Sequence, residues 1–233
     1  IFGLHGDFPN IFEVSTLNGY TGFHLYGTHY SDSTGYSVSS AGDFNGDGYD
    51  DIIIGAPNSD TNGLNSGDSY IVFGAEKESF GTTLRLDEMT SAKGLVLRGL
   101  EGERSGYSVS GGGDINGDGY DDVIVGAPGG YVGAGRAYVF YGAREFNENV
   151  IDLSALNGGS GFIVGHTTPG YIEVSIAGDM NSDGYADFIV GDPYYSPTVD
   201  EGFGSWTVTS GGRASIYYGQ PEFPGFVNLT GYG

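Results

Sequence analysis

One nine-residue phrase occurs three times and limits what this chain can become. It reads Asp43-Phe-Asn-Gly-Asp-Gly-Tyr-Asp-Asp51, Asp114-Ile-Asn-Gly-Asp-Gly-Tyr-Asp-Asp122 and Asp179-Met-Asn-Ser-Asp-Gly-Tyr-Ala-Asp187. Each copy has an oxygen-bearing side chain at positions 1, 3, 5 and 9 and Gly at position 6. Carboxylates crowded this closely repel one another unless a cation lies among them. An all-oxygen donor set suits a hard cation, and Ca²⁺ accepts about six to eight oxygens at flexible angles. Three Ca²⁺ sites are therefore expected. The side-chain donors are Asp43, Asn45, Asp47 and Asp51; Asp114, Asn116, Asp118 and Asp122; and Asp179, Asn181, Asp183 and Asp187. The main-chain carbonyls of Tyr49, Tyr120 and Tyr185 add one donor to each loop.

An EF-hand begins in the same way but closes on a Glu at position 12. Position 12 here is Ile54, Val125 or Val190, each inside an apolar run that reads as a strand. The loop is therefore expected to close at position 9 and to leave as a strand. The competing reading is a plain hairpin turn, because Asn-Gly and Asp-Gly favour positive φ. Recurrence of the carboxylates at positions 1, 5 and 9 favours the metal.

The loops start at residues 43, 114 and 179, so the repeat is 71 and then 65 residues long. Before the first two stand Gly35-Tyr-Ser-Val-Ser-Ser-Ala-Gly42 and Gly106-Tyr-Ser-Val-Ser-Gly-Gly-Gly113. After them come Ile52-Ile-Ile-Gly-Ala-Pro57 and Val123-Ile-Val-Gly-Ala-Pro128. Further on lie Tyr70-Ile-Val-Phe-Gly74, Tyr138-Val-Phe-Tyr-Gly142 and Ile216-Tyr-Tyr-Gly219. Last come Gly22-Phe-His-Leu-Tyr-Gly27, Gly94-Leu-Val-Leu-Arg-Gly99 and Gly161-Phe-Ile-Val-Gly165. Each unit thus reads as strand A, chelating loop, strand B, long loop, strand C, connection, strand D. The fold class is all-β, with four-stranded antiparallel blades of a β-propeller. Strand A, small and rich in Gly and Ser, belongs nearest the crowded axis. Strand B, apolar on both faces, belongs between neighbouring blades. A β-helical solenoid is the rival, though its coils would be shorter.

These units resemble FG-GAP repeats, the blades of the integrin α-subunit propeller. Gly35-Tyr36 and Gly106-Tyr107 stand at the FG position, and Gly55-Ala56-Pro57 and Gly126-Ala127-Pro128 at the GAP position. The resemblance implies that the loop between strands A and B binds Ca²⁺ on one face of the propeller, with partners meeting the opposite face. The third unit departs from the pattern. Tyr171 stands where Gly is expected, GAP becomes Gly191-Asp192-Pro193, and a bulge or shifted Gly is expected in its strand A.

The chain divides into a C–D remnant of a preceding blade (1–34), blades at 35–99 and 106–165, and an incomplete blade at 170–233. Ile1-Phe-Gly3 matches the end of a strand C, so the chain is expected to open mid-blade. Two whole blades do not close a ring. The expected partners are further blades on the same longer polypeptide or on other subunits.

The formal net charge of −22 disfavours nucleic acid and anionic membrane as partners. No apolar run approaches the roughly 20 residues of a membrane helix, so no membrane insertion is expected. The chain has no Cys, hence no disulfide framework. The four His residues form no metal-ligand spacing, and no P-loop, G-x-S-x-G elbow or Rossmann glycine pattern occurs. The expectation is a non-enzymatic Ca²⁺-binding propeller segment of a secreted or cell-surface protein, acting in adhesion, assembly or extracellular structure. Tyr194, Tyr195 and Trp206 lie on the long loop after strand B of the third unit. They are candidate contacts for a protein or glycan ligand, or else cap the blade. A lectin-like propeller is the alternative, and the non-catalytic propeller part of an extracellular hydrolase ranks below it.

Overall fold

A computed structural model describes residues 13–76, 79–129, 134–169, 171–195, 198–200, 205–207 and 211–229. The strands are short and bounded by Gly and Asp, as the punctuation of the sequence dictates. β1 (His24–Tyr26) is the D strand of the remnant at the start, and the first unit contains β2 (Ser37–Gly42), β3 (Asp51–Ala56), β4 (Asp68–Val72), β5 (Thr83–Arg85) and β6 (Gly94–Arg98). The second contains β7 (Ser108–Gly113), β8 (Asp122–Ala127), β9 (Ala134–Phe140), β10 (Val150–Asp152) and β11 (Gly161–Pro169). The third contains β12 (Glu173–Gly178), β13 (Asp187–Asp192), β14 (Thr198–Asp200), β15 (Ser205–Thr207), β16 (Arg213–Tyr217) and β17 (Phe226–Asn228). The match of residues 1–3 to a strand C lies outside the described residues.

The first sheet is an antiparallel meander, β2–β3–β4–β6, and the second repeats it as β7–β8–β9–β11. The third sheet has the order β12–β13–β16. The protein is a partial β-propeller. At the loop-proximal end of every A strand the register shifts, between Ser40 and Gly42, Gly111 and Gly113, and Ile176 and Gly178. The bulge expected for the third unit is therefore present, but it belongs to all three.

Adjacent sheets are also linked by hydrogen bonds. The connection from C to D in each unit contributes a three-residue strand lying parallel to the D strand of the unit before. It pairs β5 with β1 (Leu84 opposite Leu25), β10 with β6 (Ile151 opposite Leu97) and β17 with β11 (Val227 opposite Val164). The next residue in each connection, Leu86, Leu153 or Leu229, is buried. Short 3-10 turns at Leu86–Glu88 and Leu153–Ala155 follow the first two, the second capped by the Asp152 carboxylate accepting from Ser154 N.

The core lies between sheets. Ile53, Ile71, Leu95 and Leu97 of the first sheet meet Val109, Val123, Val125 and Tyr138 of the second. Ile124, Val139, Phe162 and Val164 on the other face of the second meet Ile172, Phe188 and Val190 of the third. All six residues of β8 are buried, because both faces of this strand are covered. The A strands pack against one another, β2 on β7 and β7 on β12. Their small residues permit this approach: a Cβ on Gly111 would lie 2.8 Å from Ala41 Cα. Strand A is thus innermost, as its composition predicts. The outward faces at either end carry apolar residues in the open, Val38 at 69% exposure in the first unit and Ile216 at 50% in the third.

Candidate metal centres

Each acidic loop forms the turn from strand A to strand B, and the three share one hydrogen-bond pattern. The position 1 carboxylate accepts from the main-chain N–H of position 5, at 2.9 Å for Asp43 and 3.1 Å for Asp114 and Asp179. Its other oxygen accepts from the position 6 Gly, at 3.1 Å from Gly48 and 2.9 Å from Gly119 and Gly184. The Asn45, Asn116 and Asn181 carbonyl oxygens accept from that same position 5 N–H. Asp47, Asp118 and Asp183 accept from the N–H of Tyr49, Tyr120 and Tyr185. The oxygens of positions 1 and 3 therefore converge on one point of the turn, with the position 5 carboxylate beside them. Positive φ at position 4 (Gly46 +68°, Gly117 +77°, Ser182 +62°) and at the position 6 glycines makes so tight a turn possible.

Position 9 has a different environment. Asp51, Asp122 and Asp187 are fully buried. One oxygen accepts from position 2 (Phe44 N 3.0 Å, Ile115 N 2.8 Å, Met180 N 2.8 Å). The other accepts from the Gly that follows strand C (Gly74 N 2.7 Å, Gly142 N 2.9 Å, Gly219 N 3.0 Å). The same carboxylate expected to close the chelate also ties the loop to strand C. Burial pushes the Asp51 carboxyl up to about 6, with the nearby Asp47 charge adding to it. Burial likewise pushes Asp122 up to about 8, Asp118 and Asp114 contributing. By donor chemistry the loops fit a hard divalent ion. Among the described residues no three Asp, Glu, His or Cys side chains stand in metal-ligand geometry. The loop oxygens instead face the loop's own N–H groups.

The loops are also joined to one another, through residues the spacing argument passed over. Asp121, at position 8 of the second loop, accepts from Asp43 N at 2.8 Å. Asp114 O in the second loop accepts from Ala186 N at position 8 of the third, at 2.8 Å. The Tyr120 ring covers Gly46, and the Tyr185 ring covers Gly117, leaving no room for a Cβ at either glycine. The signal was in the sequence: position 7 is Tyr in every copy, while position 4 is Gly in the first two and Ser in the third.

The end of the A strands away from the loops is aromatic. Tyr36 and Tyr107 lie 4.8 Å apart, Tyr107 and Tyr171 6.3 Å, and Tyr171 and Tyr194 5.2 Å, forming one row across three units. A hydrogen bond with Tyr36 raises the Tyr107 hydroxyl to about 12. Tyr171 keeps its place in the row although it stands one residue earlier in its repeat, where Gly was expected. Tyr194 is exposed at the end of the row. Tyr195 instead receives the Arg213 guanidinium on its ring at 4.0 Å. The side chain of Trp206 lies outside the described residues.

Antiparallel sheets set side by side on small A strands, each with an acidic A–B turn, define a partial β-propeller. The chain carries FG-GAP repeats: the family model of that description matches residues 34–72 and 105–140. Integrin alpha-6 of Gallus gallus is 34% identical over 172 residues, covering 72% of this chain and 14% of that protein. Integrin alpha-5 of Xenopus laevis is 33% identical over 190 residues, 76% of this chain and 17% of its own length. Integrin alpha-PS2 of Drosophila melanogaster is 31% identical over 179 residues, 72% of this chain and 12% of its own length. The chain thus spans less than a fifth of the length of these relatives. Among the described residues no helix is long and apolar enough to cross a membrane.

Proposed function

We propose that this chain is a Ca²⁺-stabilised FG-GAP propeller segment of a secreted or cell-surface protein, acting by adhesion or assembly and not by catalysis. The observation that carries the reading is the threefold recurrence of one hydrogen-bonded acidic turn, tied each time by a buried position 9 Asp to the strand C beside it. Asp43, Asn45, Asp47, Asp51 and the Tyr49 carbonyl would hold the first ion, with Asp114, Asn116, Asp118, Asp122 and Tyr120 holding the second. Asp179, Asn181, Asp183, Asp187 and Tyr185 would hold the third. A bound cation would cancel the carboxylate repulsion within each turn. Its binding free energy then adds to the stability of the fold. Calorimetric titration of the chelator-treated protein with CaCl2 should show about three sites, and the thermal midpoint should rise with Ca²⁺. No heat of binding and an unmoved midpoint would refute the reading.

The tyrosine row supports a contact surface at the end of the A strands away from the metal loops. Aromatic side chains give large contact area at little entropic cost, which suits either a protein or a glycan ligand. Binding of the Ca²⁺-loaded protein to a glycan array, lost in Tyr194→Ala, would favour the lectin-like reading. A blank array would leave protein adhesion as the role.

A further inference from the structure

The three acidic turns touch one another in order, and the two junctions between them differ in one group. At the first junction both main-chain polar groups of Asp43, position 1 of the first loop, bond to Asp121 of the second. Asp43 N donates to the Asp121 carboxylate at 2.8 Å, and Asp121 N donates to Asp43 O at 3.4 Å. The Tyr120 ring, one residue earlier, lies on Gly46 of the first loop. Gly42 makes room for the crossing carboxylate, since a Cβ there would collide with it. At the second junction the main-chain bond recurs, Ala186 N donating to Asp114 O at 2.8 Å, and the Tyr185 ring lies on Gly117. Position 8 of the third loop is Ala186, so it sends no carboxylate across to Asp114 N. One further link is common to both junctions. Ala143 N donates to Phe44 O at 3.1 Å and Gln220 N to Ile115 O at 3.0 Å. Each donor follows the Gly whose N–H is held by a position 9 Asp, Gly142 by Asp122 and Gly219 by Asp187.

We propose that Asp121 positions the first metal loop from the second, so that the first two sites fill as a cooperative pair and the third couples to them more weakly. The inference rests on the Ca²⁺ reading above and adds how its sites depend on one another. Asp121 stands between Tyr120, whose carbonyl is a donor in the second loop, and Asp122, whose carboxylate closes it. Engaging both neighbours as ligands fixes the residue between them, and with it the groups set against Asp43 and Gly46. The first loop then has less freedom to lose when it closes on its own ion. Such coupling is reciprocal, so each loop raises the affinity of the other by the same factor. At the second junction the tyrosine ring and the main-chain bonds remain, but the charged acceptor is missing, and charge-assisted hydrogen bonds are the stronger kind.

Calorimetric titration of chelator-treated protein with CaCl2 tests this. Asp47, Asp118 and Asp183 are exposed, so alanine at any of them disables one loop without opening the core. The Asp183→Ala chain, with loops one and two, should bind two ions with a coupling of about fivefold or more. The Asp47→Ala chain, with loops two and three, should show less. Adding Asp121→Ala to the Asp183→Ala chain should lower its coupling to the Asp47→Ala level. Asp121→Asn keeps an acceptor oxygen for Asp43 N, so it should weaken both sites through the lost charge yet retain most of the coupling. A role confined to overall charge would not separate Asn from Ala, and circular dichroism of each metal-free variant checks the fold. Conversely, Ala186→Asp in the Asp47→Ala chain should raise its coupling, because Gly113 lies beside Ala186 as Gly42 lies beside Asp121. Equal coupling at the two junctions, or coupling untouched by Asp121→Ala, overturns the proposal and leaves the Ca²⁺ reading in place. Absence of any binding heat would refute both.

Discussion

The first and third units carry the same loop, yet the residue after its first Asp meets opposite fates. Phe44 is fully buried, stacked on Phe146 at 5.5 Å and close to Phe140, because the second unit lies over it. Met180, at the same place in the third loop, is 56% exposed. The contrast extends along the strands. Ile71 is buried, while its counterpart Ile216 is half-exposed. Position 4 is Gly beneath a tyrosine ring in the first loop, and Ser at positive φ in the third. Strand sequence prescribes a wedge with two apolar faces; whether a face is buried depends on the neighbour.

Three substitution pairs sharpen or break this comparison. The largest effect is expected at position 2. Phe44→Ala should cost about 3–5 kcal/mol in urea unfolding, as for other buried aromatic deletions, and Met180→Ala within about 0.5 kcal/mol. Equal costs would mean that the third loop is also covered in solution.

The next pair concerns strand C. Tyr138 donates to Glu103 at 2.6 Å, and Glu103 also pairs with Arg136. Tyr138→Phe leaves that buried carboxylate short of a donor, at a cost of about 1–3 kcal/mol. The third unit has Ser215 in this place, and Ser215→Ala should change stability by less than about 0.5 kcal/mol. A silent Tyr138→Phe would show that Arg136 satisfies Glu103 unaided.

The smallest effects fall at position 4. Gly117→Ser places a Cβ against the Tyr185 ring at a left-handed residue and should cost about 1–2 kcal/mol. Ser182→Gly relieves the same backbone conformation without a ring to displace, and should stabilise by less than about 1 kcal/mol. Thermal melts of the two variants should therefore move in opposite directions. A neutral Gly117→Ser would mean that Tyr185 is free to swing away.

Much of this was legible in the residues. Short apolar runs between Gly and Asp marked the strands, and the recurring flanks gave their order. The Gly and Ser content of Ser37–Gly42 and Ser108–Gly113 gave the innermost position. Less visible was the three-residue strand formed by Thr83–Arg85, Val150–Asp152 and Phe226–Asn228. A segment this short has no period of its own, and its partner lies in the preceding unit. The cross-loop roles of the Asp121 carboxylate and of the Tyr120 and Tyr185 rings were likewise invisible to loop spacing, which uses the position 7 tyrosines only through their carbonyls. The aromatic row was hidden by a one-residue shift at Tyr171, which only the shared placement of the rings brings back into line.

The sequence by itself determined the local geometry: acidic turns whose side chains bond their own main chain, and short strands apolar on both sides. Those depend on residues within about one turn of each other, so spacing suffices to specify them. Tertiary structure alone decided which Asp faces the turn and which is buried against a neighbouring strand, which tyrosine covers which glycine, and which faces stay open. Each is a contact between segments separated by tens of residues. Its free energy exists only once the sheets stand side by side.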